Sequence, residues 1–308
     1  MAEAIDFASA SGGTSKTKAM VFVHGAGDWP EAYWTEIIEK PEFNGLVFTP
    51  IGVRYCQIFQ TDRARDARIS PDATRFQNDF IGLIVWEQLS LEMAARGSKM
   101  PSNLAALLNP ANFVNSGIDP QKAFLGFLSQ MLFGIDFVKL VDLITNTYLP
   151  NGIQISSTAS DVFLYLYNPI IARQVRDQVA AGLAQANEFD EIVLVSHSLG
   201  TVIAFDALLQ NPEYIPKISY WFTLGCPIPK VMRLRPIALP SPLPHAQIRN
   251  WFNLYDSADI VAGVVGPSVD TAGCFVHDIF VKVGNGMPQA HDYFGNAASR
   301  TLIARSVA

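Results

Sequence analysis

The fold of this chain is decided by the stretch Ile192-Val193-Leu194-Val195-Ser196-His197-Ser198-Leu199-Gly200-Thr201. A short aliphatic run ends in the pattern small-x-Ser-x-Gly, and an apolar helical run over residues 202–209 follows at once. This order predicts a strand that reverses directly into a helix. Such a turn would lift the hydroxyl of Ser198 clear of the sheet and aim the first N–H groups of the helix at a reacting carbonyl. Ser198 is therefore the candidate nucleophile.

The bulk composition favours a folded protein that does not bind nucleic acid. The chain has 308 residues, which suits one large domain or one domain with an insertion. Hydrophobic residues make up 49% and charged residues 16%, which argues against disorder. The net charge is −6, without a long basic run, so nucleic acid is excluded as an expected partner. Three widely spaced cysteines argue against a disulfide framework and a zinc site.

The first 18 residues are rich in Ala, Ser, Gly and Thr and lack the apolar core of a signal peptide. We expect residues 1–18 to be a flexible leader on a cytoplasmic protein. An export signal removed from the sequence is the alternative.

The next segment predicts the start of a mostly parallel α/β sheet with helices on both faces. Ala19–Val23 is the first expected strand. A helix should begin at Asp28 as N-cap, with Pro30 in its first turn, and end near Lys40 before Pro41. A second strand is expected at Leu46–Phe48.

Between residues 76 and 162 helical periodicity replaces the strand signals. Residues 124–144 are dense in Phe, Leu, Ile and Val, and their three charged residues, Asp136, Lys139 and Asp142, form a narrow polar stripe on one helical face. No apolar span reaches transmembrane length. We therefore expect a helical insertion that acts as a cap or lid; docking of this insertion on a membrane or a second subunit is a weaker alternative.

The α/β pattern resumes near residue 163. Asn168 and Pro169 are typical of a helix start, and the apolar residues Ile171, Val175, Val179 and Leu183 then recur every four positions. Later strands are expected at Ile218–Leu224, Ile248–Leu254 and Cys274–Val283, with a proline-rich loop over Pro236–Pro244. The predicted core is therefore 19–75 and 163–308, interrupted by the insertion at 76–162.

Four motifs each follow a predicted strand: Val23-His24-Gly25-Ala26-Gly27, Ser196-His197-Ser198-Leu199-Gly200, Tyr255-Asp256-Ser257-Ala258-Asp259-Ile260-Val261 and Ala290-His291-Asp292-Tyr293. They resemble motifs of the α/β-hydrolase superfamily, in particular its bacterial lipase- and esterase-like serine hydrolases, and they occur in the family's order of oxyanion loop, nucleophile, acid and base. One departure is that Ser196 replaces the first glycine of G-x-S-x-G; the turn needs a small residue there, and serine satisfies that need.

The resemblance implies a catalytic triad of Ser198, Asp259 and His291. Asp259 precedes an apolar pair, as the acid of this family usually does, and Asp256 is the alternative acid. His291 lies in a Gly- and Pro-bearing loop after the last predicted strand, which could carry an imidazole back to the serine.

The other four histidines are weaker candidates for the base. His197 adjoins the serine and should point to the other side of the strand. His24 belongs to the oxyanion loop and more plausibly braces it. His277 lies inside a predicted strand, and His245 lies in the proline-rich loop.

The resemblance also implies an oxyanion hole made of backbone N–H groups. One donor should be Leu199, and the second should come from the loop His24–Gly27, with Ala26 the best match and Gly27 next.

These residues predict a hydrolase that cleaves the carboxylic ester of a small apolar substrate through an acyl-enzyme, without a cofactor or metal. Amide, lactone or thioester hydrolysis and acyl transfer would use the same triad. A module that binds ligands or proteins without catalysis is the alternative of another class. Trp29 and Trp34 are candidate substrate contacts, although aromatic residues there could equally be core residues. The sequence leaves the oligomeric state open.

Overall fold

Six parallel strands form the centre of the protein. A computed structural model describes residues 16–61, 152–234, 243–270, 273–286 and 288–308, with the side chains of 152–159 and 234 excepted. The strands are β1 Lys18–Val23, β2 Thr49–Val53, β3 Glu191–His197, β4 Ile218–Leu224, β5 Trp251–Tyr255 and β6 His277–Phe280. They are arranged β2-β1-β3-β4-β5-β6, and every neighbouring pair is parallel. The predicted α/β class is confirmed.

In the described part of the chain, helices lie between successive strands and after the last strand. They are α1 Thr35–Ile38, α2 Cys56–Phe59, α3 Gly152–Tyr167, α4 Pro169–Ala186, α5 Leu199–Gln210, α6 Ile228–Leu234, α7 Gly266–Val269 and α8 Ala297–Arg305. Short 3-10 turns cover Pro41–Phe43, Pro212–Lys217, Pro244–Gln247 and Gln289–His291. No helix in this described part of the chain is long and apolar enough to cross a membrane.

The chain divides into two compact units. The first comprises Met1–Tyr55, Arg173–Pro229 and Ala238–Ala308, and it contains the whole sheet. The second comprises Cys56–Ala172 and Lys230–Ile237, a range that includes the predicted insertion. The insertion itself, apart from its last residues, lies outside the described residues.

Helices cover both faces of the sheet. On one face, alternate strand residues such as Phe22, Val195 and Phe222 join a buried cluster with Ile37 of α1 and Ile303 of α8. The other face carries a stacked pair of indoles, Trp221 and Trp251, with ring centroids 4.2 Å apart. On that face α5 packs against Trp251 through Phe205, and α4 approaches Val53 so closely at Gly182 that an added Cβ would lie 2.5 Å from a valine methyl.

Several sequence predictions of local structure are confirmed. The strand before Ser198, the first strand and the strand Ile218–Leu224 all form. Helix α4 begins at Pro169, and the Asn168 side chain accepts hydrogen bonds from the N–H groups of Ile170 and Ile171, each at 3.2 Å. The four apolar positions predicted for α4, from Ile171 to Leu183, are buried.

The predicted second strand at Leu46–Phe48 is wrong, because β2 begins only at Thr49. The sequence of β2 contains Pro50 and Gly52, two residue types with low β propensity. However, β2 is an edge strand of the sheet formed by the described residues, and edge strands are where prolines occur within sheets. Gly52 is required by packing, since an added Cβ would lie 1.8 Å from the Trp34 ring.

The predicted helix from Asp28 to Lys40 is also wrong at its start. Only Thr35–Ile38 is α-helical, and the Asp28 side chain is 75% exposed, beside Arg54 at 3.8 Å rather than capping a helix. Tertiary contacts override the helical pattern: the Tyr33 hydroxyl lies 2.7 Å from the Phe22 carbonyl oxygen and 3.2 Å from that of Val53. The predicted stop at Pro41 holds, because a 3-10 turn begins there.

Three more boundaries differ. Strand β5 starts at Trp251 rather than at Ile248, because a 3-10 turn at Pro244–Gln247 occupies the preceding residues. Strand β6 is confined to His277–Phe280 within the predicted Cys274–Val283. Thr17, assigned to the leader, already donates hydrogen bonds to Asp190 from its N–H and its hydroxyl, both at 2.8 Å, and β1 begins at Lys18. Residues 236–242 of the proline-rich loop lie outside the described residues.

Candidate active site

The turn between β3 and α5 holds Ser198 in a strained backbone conformation. Its φ and ψ are 51° and −127°, and among the described residues it is the single non-glycine residue with positive φ. Such conformations cost of order 1–3 kcal/mol and persist only where the surroundings impose them. Here the Ser198 N–H donates to the Leu224 carbonyl at 2.9 Å, and the Ser198 carbonyl accepts from the Thr201 N–H at 2.9 Å. The strand-to-helix turn expected at this serine is therefore present.

Two glycines allow the turn to pack against the end of β1. A Cβ on Gly200 would lie 2.2 Å from the His24 carbonyl oxygen, and one on Gly25 would lie 2.8 Å from the Ser198 Cβ. Both distances are shorter than atoms can tolerate. The small residues of the two motifs thus bring the loop after β1 next to Ser198.

Ser196, the residue that departs from the glycine pattern, has its own hydrogen bonds. Its hydroxyl accepts from the Trp221 indole N–H at 2.9 Å and donates to the Phe222 carbonyl at 3.2 Å. A serine at this position therefore links β3 to β4.

His291 and Asp259 form a hydrogen-bonded pair. The His291 Nδ1 lies 2.7 Å from the Asp259 Oδ2; the histidine side chain is 16% exposed and the carboxylate is fully buried. Because an ionised carboxylate can only accept, Nδ1 carries a proton in both charge states of the ring, and in the neutral ring the lone pair is at Nε2. Burial by itself would raise the pKa of Asp259, but the charge and hydrogen bond of His291, with further donors, outweigh it and leave that pKa lowered.

Asp256, the alternative acid, makes different contacts. Its Oδ1 accepts from the Ala258 N–H at 2.9 Å, and its Oδ2 accepts from the N–H groups of Val283 and Gly284 at 2.7 and 3.1 Å. The carboxylate thus links the loop after β5 to the loop after β6 and makes no hydrogen bond to His291.

Gly225 connects the neighbourhood of Ser198 with that of His291. It follows Leu224, whose carbonyl accepts the Ser198 N–H, and it has a φ of +59°. An added Cβ would lie 2.9 Å from the His291 Cε1. The imidazole therefore covers the backbone residue next to the one that holds Ser198. Neither the Ser198 Oγ nor the His291 Nε2 makes a hydrogen bond to another described residue.

His197 is a packed and hydrogen-bonded neighbour of the pair. Its Nε2 donates to the His291 carbonyl at 2.9 Å, and the two rings lie 4.7 Å apart. Burial lowers the pKa of His197 to about 3, so the ring is neutral at ordinary pH.

The loop His24–Gly27, which we call the oxyanion loop, is held by His24 and Tyr55. The Tyr55 N–H donates to the His24 Nε2 at 3.1 Å, so the His24 Nδ1 carries the proton and donates to the Gly25 carbonyl at 2.7 Å. The Tyr55 hydroxyl hydrogen-bonds the His24 carbonyl and lies 3.1 Å from that of Gly25. The Gly25 C=O and the Ala26 N–H belong to one trans peptide and therefore point in opposite directions. Because the C=O faces His24 and Tyr55, the Ala26 N–H points away from both rings.

Two of the three predicted oxyanion donors have no hydrogen-bond acceptor within the described residues, namely the Ala26 N–H and the Leu199 N–H. Leu199 is the first residue of α5, where a backbone N–H has no acceptor within the helix, and Ala26 is half-buried. Both N–H groups are therefore available to an anion beside Ser198. Gly27, the third predicted donor, takes part in a further interaction.

Both candidate substrate-binding tryptophans pack on the sheet. The Trp29 ring lies against His24 and His197, and its indole N–H donates to the Ala26 carbonyl at 3.1 Å. Trp34 covers Gly52 and the Tyr33 ring. Substrate contact by either residue stays a prediction.

His245 and His277 lie away from this constellation. The His245 ring is fully buried, stacks on Phe205 and donates from Nε2 to the Phe205 carbonyl at 2.9 Å. Its loop position in the sequence predicts a solvated side chain; the structure shows a packed one instead. His277 lies on the edge strand β6 and packs on Phe252.

Tyr293, Gly225 and Tyr55 were not selected from the sequence. Two of them could have been found from their positions in the sequence. Tyr293 lies two residues after His291 within the quoted motif, and Gly225 directly follows a predicted strand. Among the described residues, no three His, Cys, Asp or Glu side chains cluster closely enough to hold a metal ion.

A scan against protein-family models found no match to this chain, and searches of curated proteins and of solved structures also found none.

Proposed function

We propose that this protein is a serine hydrolase that cleaves a carboxylic ester through an acyl-enzyme, with an α/β-hydrolase fold. One observation carries the proposal: a serine with strained positive φ lies at a strand-to-helix turn beside two backbone N–H groups that have no acceptor among the described residues, and a half-buried histidine paired with a buried aspartate covers the adjacent strand end. An ordinary turn serine needs none of these neighbours.

In the acylation step Ser198 Oγ attacks the ester carbonyl carbon. His291 Nε2 takes the hydroxyl proton as the carbon–oxygen bond forms, and Asp259 stabilises the resulting imidazolium through Nδ1. The tetrahedral intermediate then collapses, His291 returns the proton to the departing alcohol, and the acyl group remains on Ser198. Hydrogen bonds between nucleophile and base are often long without substrate and shorten in the Michaelis complex.

The N–H groups of Leu199 and Ala26 would bind the oxyanion of that intermediate. Each such donor typically contributes about 3 kcal/mol of transition-state stabilisation. The strained turn at Ser198 holds the Leu199 N–H in place, and the hydrogen bonds of His24 and Tyr55 hold the Ala26 N–H. Neither donor therefore needs to reorganise during the reaction.

Deacylation repeats the chemistry with water in place of serine. His291 takes a proton from water, the hydroxide attacks the acyl carbon, and Ser198 leaves with the proton that His291 returns. No step requires a cofactor.

The apolar character of the substrate is supported by sequence alone, through the Phe- and Leu-rich residues 124–144. Amide, lactone and thioester hydrolysis, or acyl transfer to an alcohol, would use the same groups. A panel of p-nitrophenyl esters of graded chain length, with matched amides and thioesters, would separate these reactions.

The deciding experiment is labelling with a fluorophosphonate followed by peptide mapping. We expect modification of Ser198 in the wild type and none in Ser198→Ala. Ser219→Ala is a matched control, because Ser219 lies at the opposite end of the sheet, where its hydroxyl donates to the Ile192 carbonyl. Ser219→Ala should retain full labelling and full ester turnover.

A wild type that neither reacts with the probe nor hydrolyses any member of the panel would refute the proposal. The chain would then be a binding module on the same fold. Turnover retained in Ser198→Ala would reject this serine as the nucleophile.

A further inference from the structure

Tyr293 joins the two aspartates of the site through one hydroxyl. The residue is fully buried, and its hydroxyl accepts from the Asp256 N–H at 2.8 Å. The same oxygen lies 3.0 Å from the Asp259 Oδ2. A phenol has one proton, and the Asp256 contact uses a lone pair, so that proton is donated to Asp259.

The acceptor of this proton is the oxygen that also binds His291. Asp259 Oδ2 therefore receives two donors, the imidazole N–H at 2.7 Å and the phenol O–H at 3.0 Å, whereas Oδ1 receives the Val261 N–H at 2.9 Å and no other donor from the described residues. Each donor withdraws negative charge from the oxygen, so the two compete for it. The phenol thus weakens the hold of the carboxylate on the imidazolium form of His291.

The donor is permanent over any working pH. Burial raises the pKa of Tyr293, and the neighbouring Asp259 charge raises it further, so the hydroxyl keeps its proton. The ring is fully buried and lies against Gly225, where an added Cβ would be 2.8 Å from its Cε2. The hydroxyl is therefore available as a donor to Asp259 throughout the titration.

We propose that Tyr293 is a positioning residue that lowers the basicity of His291 by sharing the Asp259 oxygen with it. The inference deepens the proposed function, on which it rests. It assigns to Tyr293 the setting of the pH range in which His291 is a neutral base.

Other groups face His291 and stay constant in the test. The His197 ring is neutral, with a pKa of about 3, and contacts His291 through its ring and the main-chain carbonyl. Lys282 Nζ forms an ion pair with Asp256 Oδ2 at 3.6 Å, and this pair includes neither His291 nor Asp259.

The experiment is an NMR titration of His291 in Tyr293→Phe, a variant that keeps the ring and removes the hydroxyl. We expect the apparent pKa of His291 to rise by about half to one pH unit, as for loss of one competing hydrogen bond. The acid limb of kcat/KM should move in the same direction, with KM changed less than about twofold. Tyr255→Phe is the matched control; its hydroxyl has no hydrogen bond among the described residues, and its titration should equal that of the wild type.

Tyr293→Phe removes the acceptor of the Asp256 N–H and could therefore fail to fold, which near-UV circular dichroism would detect. A second measurement keeps the inference testable in that case. Incorporating 3-fluorotyrosine into the wild type makes the phenol a stronger donor, and it should lower the pKa of His291. Identical His291 titration in the wild type and in Tyr293→Phe, or no response to fluorotyrosine, would overturn the inference. The titration needs no turnover, so an inactive wild type would count against the proposed function alone.

Discussion

Acidification from about pH 7 to about pH 5 should destabilise this fold strongly, because three histidines are buried in neutral form. His24 and His245 are fully buried and His197 is 6% exposed. Burial lowers their pKa values to about 4 for His24, about 4 for His245 and about 3 for His197. All three lie in the unit that contains the sheet.

The direction of the effect follows from proton binding. In the unfolded chain each histidine binds a proton as the pH falls through about 6.5, whereas in the folded chain none does until about pH 4. The unfolded state therefore binds more protons over this window, and the free energy of unfolding falls with the pH. Stability is fully present above about pH 6.5 and is lost progressively below it. The pKa values of Asp259 and Asp256 are lowered, so these groups add their own loss only in more acidic solution, below about pH 4.

The magnitude is a large fraction of the total stability. One pH unit corresponds to about 1.4 kcal/mol per group, so each histidine contributes about 2 kcal/mol of destabilisation at about pH 5. Three such groups give about 6 kcal/mol, against about 5–15 kcal/mol for a whole domain.

Urea unfolding followed by tryptophan fluorescence would measure this loss at several pH values. In His245→Gln, which can still donate to the Phe205 carbonyl, the loss between about pH 7 and about pH 5 should shrink by about a third. Val179→Ala, a buried α4 position without a titratable group, should instead lower the free energy of unfolding equally at both pH values. A free energy of unfolding that stays constant over this range would refute the reasoning, since the histidines would then be free to charge inside the fold.

Five substitutions test the proposed catalytic geometry. Asp259→Asn should reduce kcat by about 10³–10⁴-fold, while Asp256→Asn should cost less than about tenfold in kcat and lower the melting temperature; the reverse ranking would make Asp256 the acid. Gly225→Ala should abolish ester turnover, because its Cβ would lie 2.9 Å from the His291 imidazole. Gly273→Ala, which shares the positive φ but has open space around it, should keep full activity; equal loss in both would assign the effect to backbone strain alone. Tyr55→Phe should lower kcat by about tenfold with little change in KM, because it loosens the oxyanion loop, and steady-state kinetics with one ester would contradict this if only KM changed.

The sequence was sufficient where short-range pattern and tertiary environment agree. Around β3 and α5 the aliphatic run, the turn residues and the apolar helix all favour the same structure, and the element bounds follow closely. The same holds for α4, whose start is set locally by the Asn168 side chain. These segments are consistent at every level from propensity to packing.

The errors fall where a long-range contact decides the local structure. Strand β2 contains Pro50 and Gly52. Their suitability depends on the edge position of β2 in the described sheet and on the ring of Trp34. The helix expected from Asp28 begins only at Thr35, because Trp29 packs on His24 and the Tyr33 hydroxyl donates to the Phe22 carbonyl at the end of β1. Neither contact is visible within a window of a few residues.

For the candidate site, the sequence predicted the serine, the carboxylate and the imidazole that the structure brings into one neighbourhood, and it did not predict the tyrosines that hydrogen-bond around them. Ser198, Asp259 and His291 stand in motifs with fixed spacing. Tyr293 and Tyr55 act through a hydroxyl whose partners are 30 or more residues away in the chain, so no local pattern predicts which tyrosine is used.

The backbone of the sheet aligns the candidate site together with these side chains. Residues that directly follow one strand donate to the last residues of the neighbouring strand: the Ser198 N–H donates to the Leu224 carbonyl, the Gly225 N–H to that of Leu254, and the Val281 N–H to that of Tyr255. Strands β1, β3, β4, β5 and β6 are neighbours in this order, and they are followed by the His24–Gly27 loop, Ser198, Gly225, the loop with Asp259 and the loop with His291. Because main-chain bonds hold Ser198, Gly225 and Val281 to the adjacent strand, a shift in the register of β4 or β5 would displace them. Under the proposed function, substitutions that alter backbone spacing at this edge should consequently impair catalysis more than equally buried substitutions within the apolar faces of the sheet.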